Sequence, residues 1–281
     1  MQEWLNHTLT EEERLAFDRD GYFLLKNALP PDMLNRVLAT IDQMDTDYRA
    51  EDGVKENARL NMHDLIGKDD LFMELMDWPQ TFAKVFGIMG WNIQLFHTQL
   101  VVTPPGGGNK GKKRLGWHQD NNRMNRDFET PIDTHPRVSM KVAFFLTDTT
   151  EVGRANFYIV PGGHLKDKVV FASEDDEMPE GALATQVKAG DTLFFDRRLW
   201  HAASPNMSDH PRKVLFYGYS YRWLRTKSDI DLTYLYDSMN PIRRQLLGYA
   251  TGAGGRFAPK DKDVPLREWI EESLGEEAVR A

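Results

Sequence analysis

The sequence contains no cysteine among its 281 residues. This absence excludes disulfide bonds, thiolate metal sites and a cysteine nucleophile, so a bound metal must be held by histidine, aspartate or glutamate. Positive charge is also scarce, with 35 Lys and Arg against 43 Asp and Glu and a net charge of −8. Because an acidic chain is poorly suited to polyanions, we expect neither nucleic acid nor a membrane surface among its partners.

Long hydrophobic runs are missing as well. No stretch of about eighteen apolar residues occurs, which argues against a membrane-spanning helix. The first residues lack the basic start and apolar core of a secretion signal, so we expect a cytoplasmic location. With 41% hydrophobic and 28% charged residues, the composition is that of a globular protein with a sizeable core.

The pattern is helical at both ends of the chain and strand-like in the middle. Thr10 and Glu13 form a capping pattern, a helical repeat starts at Pro31, and residues 69–90 also have a helical pattern. Short β-branched and aromatic segments follow, namely NIQLFHTQLVV, RVSMKVAFFLTD, NFYIVPG, TLFFD and RKVLFYGYSYRW. In the second segment apolar residues alternate with Ser139, Lys141 and Ala143, which predicts a half-buried strand.

These segments predict a mainly β protein with flanking helices, built on a double-stranded β-helix or jelly roll like that of the cupins. We expect one domain over residues 1–281, with the jelly-roll core at about 92–225. Helices of residues 1–90 and capping helices of residues 226–281 would pack on the outside of this core.

The stretch GWHQDNNRMN, residues 116–125, places His118 and Asp120 two positions apart. On a strand both side chains would point to one face and could hold one metal ion, although such a pair alone is more often structural. His201, at the far end of another predicted strand, is the best third ligand. Two histidines and one carboxylate form the facial triad of non-haem Fe(II) oxygenases, which leaves positions open for a co-substrate and O2.

The co-substrate 2-oxoglutarate would need an anchor for its distal carboxylate. Arginine pairs both carboxylate oxygens with its planar fork. Arg212 begins the strand pattern that follows His201, and a hairpin would bring it back beside that histidine.

With these residues in place, the sequence resembles the phytanoyl-CoA dioxygenase family of Fe(II)/2-oxoglutarate oxygenases. The likeness covers most of the chain, through FDRDGYFLLKNAL, WHQD, YIVPGGH, KAGDTLFFDRRLWHAASPN and the arginine after it. It implies that His118, Asp120 and His201 ligate iron and that Arg212 anchors 2-oxoglutarate.

The resemblance extends to less specific positions. Gln99 and Gln119 match family positions near the co-substrate. Ala203 departs from the small polar residue that the family often has there, so one hydrogen bond to the co-substrate would be lost or come from Ser204. Because halogenases of the family replace the carboxylate ligand, Asp120 favours hydroxylation or another oxidation.

A glycine-rich basic stretch, residues 106–117, leads into this site. It could recruit an anionic substrate as a lid or could simply be a solvated loop. His97 could line the cavity from its strand. The candidate substrate-binding residues are Trp117, Lys112, Arg123 and Arg222.

We therefore expect an Fe(II)- and 2-oxoglutarate-dependent dioxygenase that uses O2 to hydroxylate a small anionic metabolite or natural-product intermediate, releasing succinate and CO2. A desaturase or cyclase with the same metal site is one alternative. A non-catalytic metal-binding jelly roll and a Zn or Mn hydrolase are others, but both leave Arg212 unexplained. No feature of the sequence indicates an oligomeric state.

Overall fold

The computed structural model of the chain describes residues 1–108, 113–120, 122–228 and 230–279. Its α-helices are α1 (Glu11–Asp20), α2 (Pro31–Arg49), α3 (Asp70–Met76), α4 (Pro79–Met89), α5 (Asn122–Asp127), α6 (Pro241–Leu246) and α7 (Pro265–Leu274). Its strands are β1 (Tyr22–Leu25), β2 (Leu60–His63), β3 (Ile93–Thr103), β4 (Ser139–Phe145), β5 (Phe157–Ile159), β6 (Leu183–Ala184), β7 (Thr192–Asp196), β8 (His201–Ala203) and β9 (Arg212–Tyr221). Over these ranges, no helix combines the length and the apolar character needed to cross a bilayer.

The N-terminal helices follow the local sequence signals. The hydroxyl of Thr10 accepts a hydrogen bond from the Glu13 amide, and the Glu13 carboxylate accepts one from the Thr10 amide, which confirms the predicted capping box. The helical region predicted over 69–90 is two helices, α3 and α4. Pro79 lies in the first turn of α4, where its missing amide hydrogen costs nothing, but it could not continue α3.

Two antiparallel sheets form the centre of the fold. The large sheet has the order β1-β7-β4-β9-β3-β2, and the small sheet has the order β6-β5-β8. The longest pairing joins β3 and β9, from Ile93 opposite Tyr221 to Thr103 opposite Arg212. Two sheets with helices at both ends of the chain agree with the mainly β architecture expected from the sequence. The expected core of about 92–225 is too short, however, because β1 and β2, from residues 1–90, are the edge strands of the large sheet.

The large sheet is buried on both faces. One face, called the helix face below, packs against the helices through residues that include Met140, Val142, Phe144, Leu215, Tyr217 and Tyr219. The other, called the site face, packs against the small sheet through residues that include Ala143, Phe145, Phe195, Val214 and Phe216. Successive residues of each strand therefore alternate between two interiors.

The prediction of a half-buried β4 is wrong. All seven residues of Ser139–Phe145 are buried, including Lys141 with 8% of its surface exposed. The alternation of polar and apolar residues is real, but the small sheet covers the side that was assigned to solvent.

Candidate functional site

A cavity of about 440 Å³ opens on the site face, with walls from both sheets. The four residues that the sequence singled out most strongly, His118, Asp120, His201 and Arg212, all line it. Phe157, Phe195 and Phe216 form apolar parts of the wall.

The backbone places the two histidines side by side. His118 and His201 form an isolated antiparallel bridge, in which each amide donates to the other residue's carbonyl at 3.0 Å. Asp120 lies in a turn, and its amide donates to the Arg197 carbonyl at 2.8 Å. The predicted strand carrying His118 and Asp120 is therefore wrong, and His201 begins β8 instead of ending β7. Backbone hydrogen bonds outside regular strands bring these residues together.

The three side chains fit a metal ion. One ligand atom from each of His118, Asp120 and His201 lies within 4.8 Å of the other two. Nδ1 of His118 is 2.8 Å from the Gly116 carbonyl, and Nδ1 of His201 is 2.8 Å from the Leu199 carbonyl. Such contacts orient a ring and leave Nε2 for a metal. Two imidazoles and one carboxylate are the donor set of the non-haem Fe(II) facial triad.

The electrostatics of the site favour the ligand forms of these groups. Burial alone would raise the pKa of Asp120, but the charge of Lys141 above all outweighs burial, and that pKa lies below its usual range. Burial lowers the pKa of His201 to about 4, which keeps its imidazole neutral near pH 7. A carboxylate and a neutral imidazole are the forms that bind metal.

Lys141 is a site residue that the sequence reasoning missed. It projects from the middle of β4, and its Nζ lies 2.8 Å from Oδ2 of Asp120. The pair has the distance of an ion pair but not the angles of a hydrogen bond, so Oδ2 is buried without a hydrogen-bond partner. The signal in the sequence was a lone lysine within an otherwise apolar strand pattern.

Arg212 presents an unsatisfied guanidinium to the same cavity. Only 4% of the residue is exposed, and its Nε and Nη2 are buried without a hydrogen-bond partner in the part of the chain that the structure describes. Burial and the nearby charge of Arg59 lower the pKa of Arg212 to about 9. A buried fork without a partner is costly unless an anion meets it, so this end of the cavity suits a carboxylate.

The route by which Arg212 reaches the site differs from the prediction. We expected a hairpin with the strand of His201, but β8 belongs to the small sheet and β9 to the large one. Arg212 and His201 therefore line the cavity from opposite walls.

The two predicted co-substrate glutamines lie in different places. Gln99 lines the cavity, and its Nε2 donates to Oδ1 of Asn61 at 2.7 Å. Gln119 is not part of the cavity wall. Its amide nitrogen donates to the Arg198 carbonyl at 2.6 Å, and its oxygen accepts from Asn125 at 2.8 Å. It supports the chain around the site from behind.

Most of the candidate substrate-binding residues lie elsewhere. Arg222 is buried and donates to the carbonyls of Gly255 and Tyr249. Arg123 is exposed and pairs with Asp127 along α5. Trp117 lies between two wall residues in the sequence but is not in the wall itself. Lys112 lies outside the described residues.

The basic stretch before the site is partly engaged in other contacts. Lys113 pairs with Asp175 at 2.9 Å, and Arg114 donates to the carbonyls of Ser173, Glu174 and Asp176. These two cations therefore face residues 173–176. His97, in contrast, lines the cavity.

Comparison with known proteins agrees with this site. The sequence profile of the phytanoyl-CoA dioxygenase family matches residues 17–214, a span that contains the three candidate ligands and Arg212. An ectoine dioxygenase of Bordetella parapertussis is 24% identical over 244 residues, covering 75% of each chain. The human peroxisomal phytanoyl-CoA dioxygenase is 24% identical over 242 residues, covering 75% of this chain and 68% of its own.

A solved structure shows the same fold. HygX from Streptomyces hygroscopicus, with nickel and 2-oxoglutarate bound, superposes with a TM-score of 0.61 at 15% identity, covering 80% of this chain and 91% of that one. The mainly β jelly-roll fold with flanking helices is thus confirmed. The family profile covers more than half of the chain, and the chain belongs to the phytanoyl-CoA dioxygenase family of iron- and 2-oxoglutarate-dependent oxygenases, as the sequence predicted.

Proposed function

We propose that this chain, as a single domain, hydroxylates a small anionic metabolite or natural-product intermediate with Fe(II), 2-oxoglutarate and O2. In this reaction one oxygen atom of O2 enters succinate as 2-oxoglutarate loses CO2, and the other enters a C–H bond of the substrate. One observation carries the proposal, namely that a possible metal triad and a buried arginine without a partner line one cavity.

The residues have separate tasks in this proposal. His118, Asp120 and His201 hold the iron, which supplies the oxidising chemistry together with O2 and 2-oxoglutarate. Arg212 receives the distal carboxylate of 2-oxoglutarate and thereby orients its 2-oxo acid end toward the metal. The rings of Phe157, Phe195 and Phe216 keep water away from the reacting groups. None of these tasks requires a side-chain general base.

The alternatives without oxygenase activity fit the cavity less well. Neither a structural metal nor a hydrolytic metal explains why the cavity has a second end that carries positive charge. Arg212, with Arg59 beside it, is explained by a co-substrate that carries two carboxylates.

Anaerobic titration tests the proposal without knowledge of the substrate. Fe(II) is added to the purified protein, followed by 2-oxoglutarate, and the weak visible charge-transfer band of the chelate is recorded. We expect the band in the wild type, its loss in His201→Ala and its retention in His210→Ala, which removes an exposed histidine outside the cavity. Metal binding without the band in the wild type would contradict the proposal and favour a structural or hydrolytic metal.

A further inference from the structure

A row of three residues crosses the site face beside the metal triad. In the register of the large sheet, Lys141 of β4 lies opposite Gly218 of β9, and Gly218 lies opposite His97 of β3. A Cβ on Gly218 would lie 2.4 Å from Nδ1 of His97, so only glycine leaves space for the imidazole there. The row therefore presents one ammonium and one imidazole to the cavity across a position without a side chain.

Lys141 is held firmly in this row. Its side chain is 10% exposed, and its Nζ lies 5.5 Å from the ring centre of Phe216 and 5.9 Å from that of Phe195. Aromatic faces attract an ammonium group, and together with Asp120 they fix its position beside the metal triad. A flexible surface lysine would not have this geometry.

A second ammonium lies at the rim of the same part of the cavity. The backbone amide of Lys227 donates to the carbonyl of Phe96, the residue before His97, at 3.0 Å. Its side chain lines the cavity, and no hydrogen bond or ion pair of its Nζ occurs among the described residues. Lys227 thus adds a positive charge close to Lys141 without adding a carboxylate.

The charges that line the cavity do not balance. Among the described residues of the cavity wall there are four cations, Arg59, Lys141, Arg212 and Lys227, and one carboxylate, that of Asp120. Bound Fe(II) and 2-oxoglutarate would together add no net charge, because the two positive charges of the ion equal the two negative charges of the co-substrate. A net of three positive charges is then left. Lys141 and Arg212 are buried, where an uncompensated charge is costly, whereas Arg59 and Lys227 are exposed residues.

The excess positive charge lies in two places along β9. Arg212 is the first residue of the strand, and Gly218, opposite Lys141, comes six residues later, about 20 Å along an extended chain. A distal carboxylate bound at Arg212 compensates charge at that end. Lys141 and Lys227 lie toward the other end, where the carboxylate beside Lys141 is that of Asp120, itself a candidate metal ligand.

We propose that Lys141, Lys227 and His97 form a second anion site, which binds a carboxylate or phosphate group of the substrate next to the iron. This inference rests on the proposed function and assigns the anionic part of the substrate to residues of the sheet rather than to the basic stretch of residues 106–117.

The state of the neighbouring groups agrees with such a site. Burial and the charges of Lys141 and Lys227 lower the pKa of His97 well below its usual value, so its imidazole is neutral near pH 7. Its Nδ1 lies over Gly218 and is buried without a hydrogen-bond partner among the described residues. Burial and the charge of Lys141 also lower the pKa of Lys227, and a bound anion would relieve this repulsion.

Two small anions serve as probes, methylphosphonate for a phosphate group and acetate for a carboxylate. The protein is loaded with Mn(II) and 2-oxoglutarate, and the relaxation of probe ³¹P or ¹³C nuclei by the paramagnetic metal is measured against probe concentration. In the wild type we expect a saturable effect at short distance from the metal, and the probe that binds more tightly identifies the substrate group. Affinity should fall as salt is added.

Single substitutions locate the site. Lys141→Met should weaken probe binding about tenfold to a hundredfold, the usual effect of losing a hydrogen bond to a charged group. Lys227→Met should weaken probe binding less, because Lys227 lies at the rim of the cavity. Lys168→Met removes an exposed lysine outside the cavity and should leave the affinity unchanged.

The outcomes separate this inference from the proposed function. Probe binding that does not saturate, or that is equal in wild type, Lys141→Met and Lys227→Met, overturns the anion site while the Fe(II)/2-oxoglutarate band stays intact. Loss of 2-oxoglutarate affinity with normal probe binding in Lys141→Met would instead assign that lysine to the co-substrate. If Lys141→Met does not fold, Lys227→Met decides, because Lys227 forms no ion pair with a candidate ligand within the part of the chain that the structure describes.

Discussion

The helix face and the site face of the large sheet are built from alternate residues of the same strands, yet they bury charge in opposite ways. Asp196 follows Phe194 by two residues on β7 and therefore points to the helix face. Its carboxylate accepts hydrogen bonds from Arg198 at 2.8 Å and 3.0 Å and from Arg137 at 3.3 Å. On the site face, Lys141 pairs with Asp120, a proposed metal ligand, and Nε and Nη2 of Arg212 have no hydrogen-bond partner among the described residues.

This difference separates structural from functional charge. A buried ion pair that is fully hydrogen-bonded is complete once the chain has folded. Buried cations without partners keep an unfavourable free energy that an incoming anion can remove, and so they mark the binding surface. Substitutions on the site face should therefore change binding and turnover, and those on the helix face should change the free energy of unfolding.

The largest effect is expected from Asp120→Ala. Loss of this ligand should reduce succinate formation from 2-oxoglutarate to background and weaken iron binding, as the metal would keep only two protein ligands. Succinate is measured by NMR with and without added iron. Asp133→Ala removes an exposed carboxylate outside the cavity and should retain activity. Normal turnover in Asp120→Ala would disprove the triad.

Asp196→Asn should have the largest effect on stability. Burial alone would raise the pKa of Asp196, but Arg198 and Arg137 hold it below its usual value. Its contribution is then complete above the unfolded pKa of about 4 and is lost as the pH falls through the folded pKa. The variant should lose about 3 kcal/mol at pH 7, and the difference from the wild type should shrink below about pH 4.

Urea unfolding at several pH values measures this difference. Asp18→Asn is the matched control, since Asp18 pairs with Arg137 from an exposed position and its loss should cost less than about 1 kcal/mol. Equal effects of the two substitutions at pH 7 would show that the buried network is not stabilising.

Arg212→Ala should raise the 2-oxoglutarate concentration for half-saturation about tenfold to a hundredfold, because paired hydrogen bonds to a carboxylate are lost. Titration of the Fe(II)-loaded protein with 2-oxoglutarate measures this concentration. Arg123→Ala, which removes an exposed arginine of α5, should not change it. An unchanged requirement in Arg212→Ala would place the anchor elsewhere, with Arg59 as the nearest candidate.

Tyr217→Phe should have the smallest effect. The hydroxyl of Tyr217, on the helix face, donates to the Phe72 carbonyl at 2.9 Å, and its removal should cost about 1 kcal/mol of unfolding free energy. The affinity for 2-oxoglutarate should stay at the wild-type value. A shift in that affinity together with unchanged stability would mean that the two faces of the sheet are coupled.

The sequence predicted the elements and the main site residues for identifiable physical reasons. Caps, prolines and residue periodicity act locally, which is why α1, α2 and the strands β3, β4, β5, β7 and β9 were found where the structure has them. His118, Asp120, His201 and Arg212 were found because a metal centre restricts residue type and order. Neither kind of signal depends on knowing which surfaces of the chain pack together.

The errors have the opposite origin. Alternation in β4 assigned Lys141 to a second face correctly but could not indicate that the small sheet covers that face. The hairpin expected for Arg212 failed because successive strands switch sheets, a tertiary choice without a local signal. Gln119 matched a family motif; its side chain donates to the Arg198 carbonyl and is not in the cavity wall, and its predicted role near the co-substrate stays a prediction. Lys227 and Arg59 come from segments without a strand or motif that could have drawn attention to them.

The backbone bridge between His118 and His201 has a consequence for the entropy of metal binding. Two ligands on unconnected loops would have to be ordered when the ion binds, and that ordering would weaken its affinity. Here two amide–carbonyl bonds fix the spacing of the histidines as part of the folded chain. In the proposed iron site, the entropy of ordering the two histidines is therefore lost during folding, and metal binding does not have to supply it.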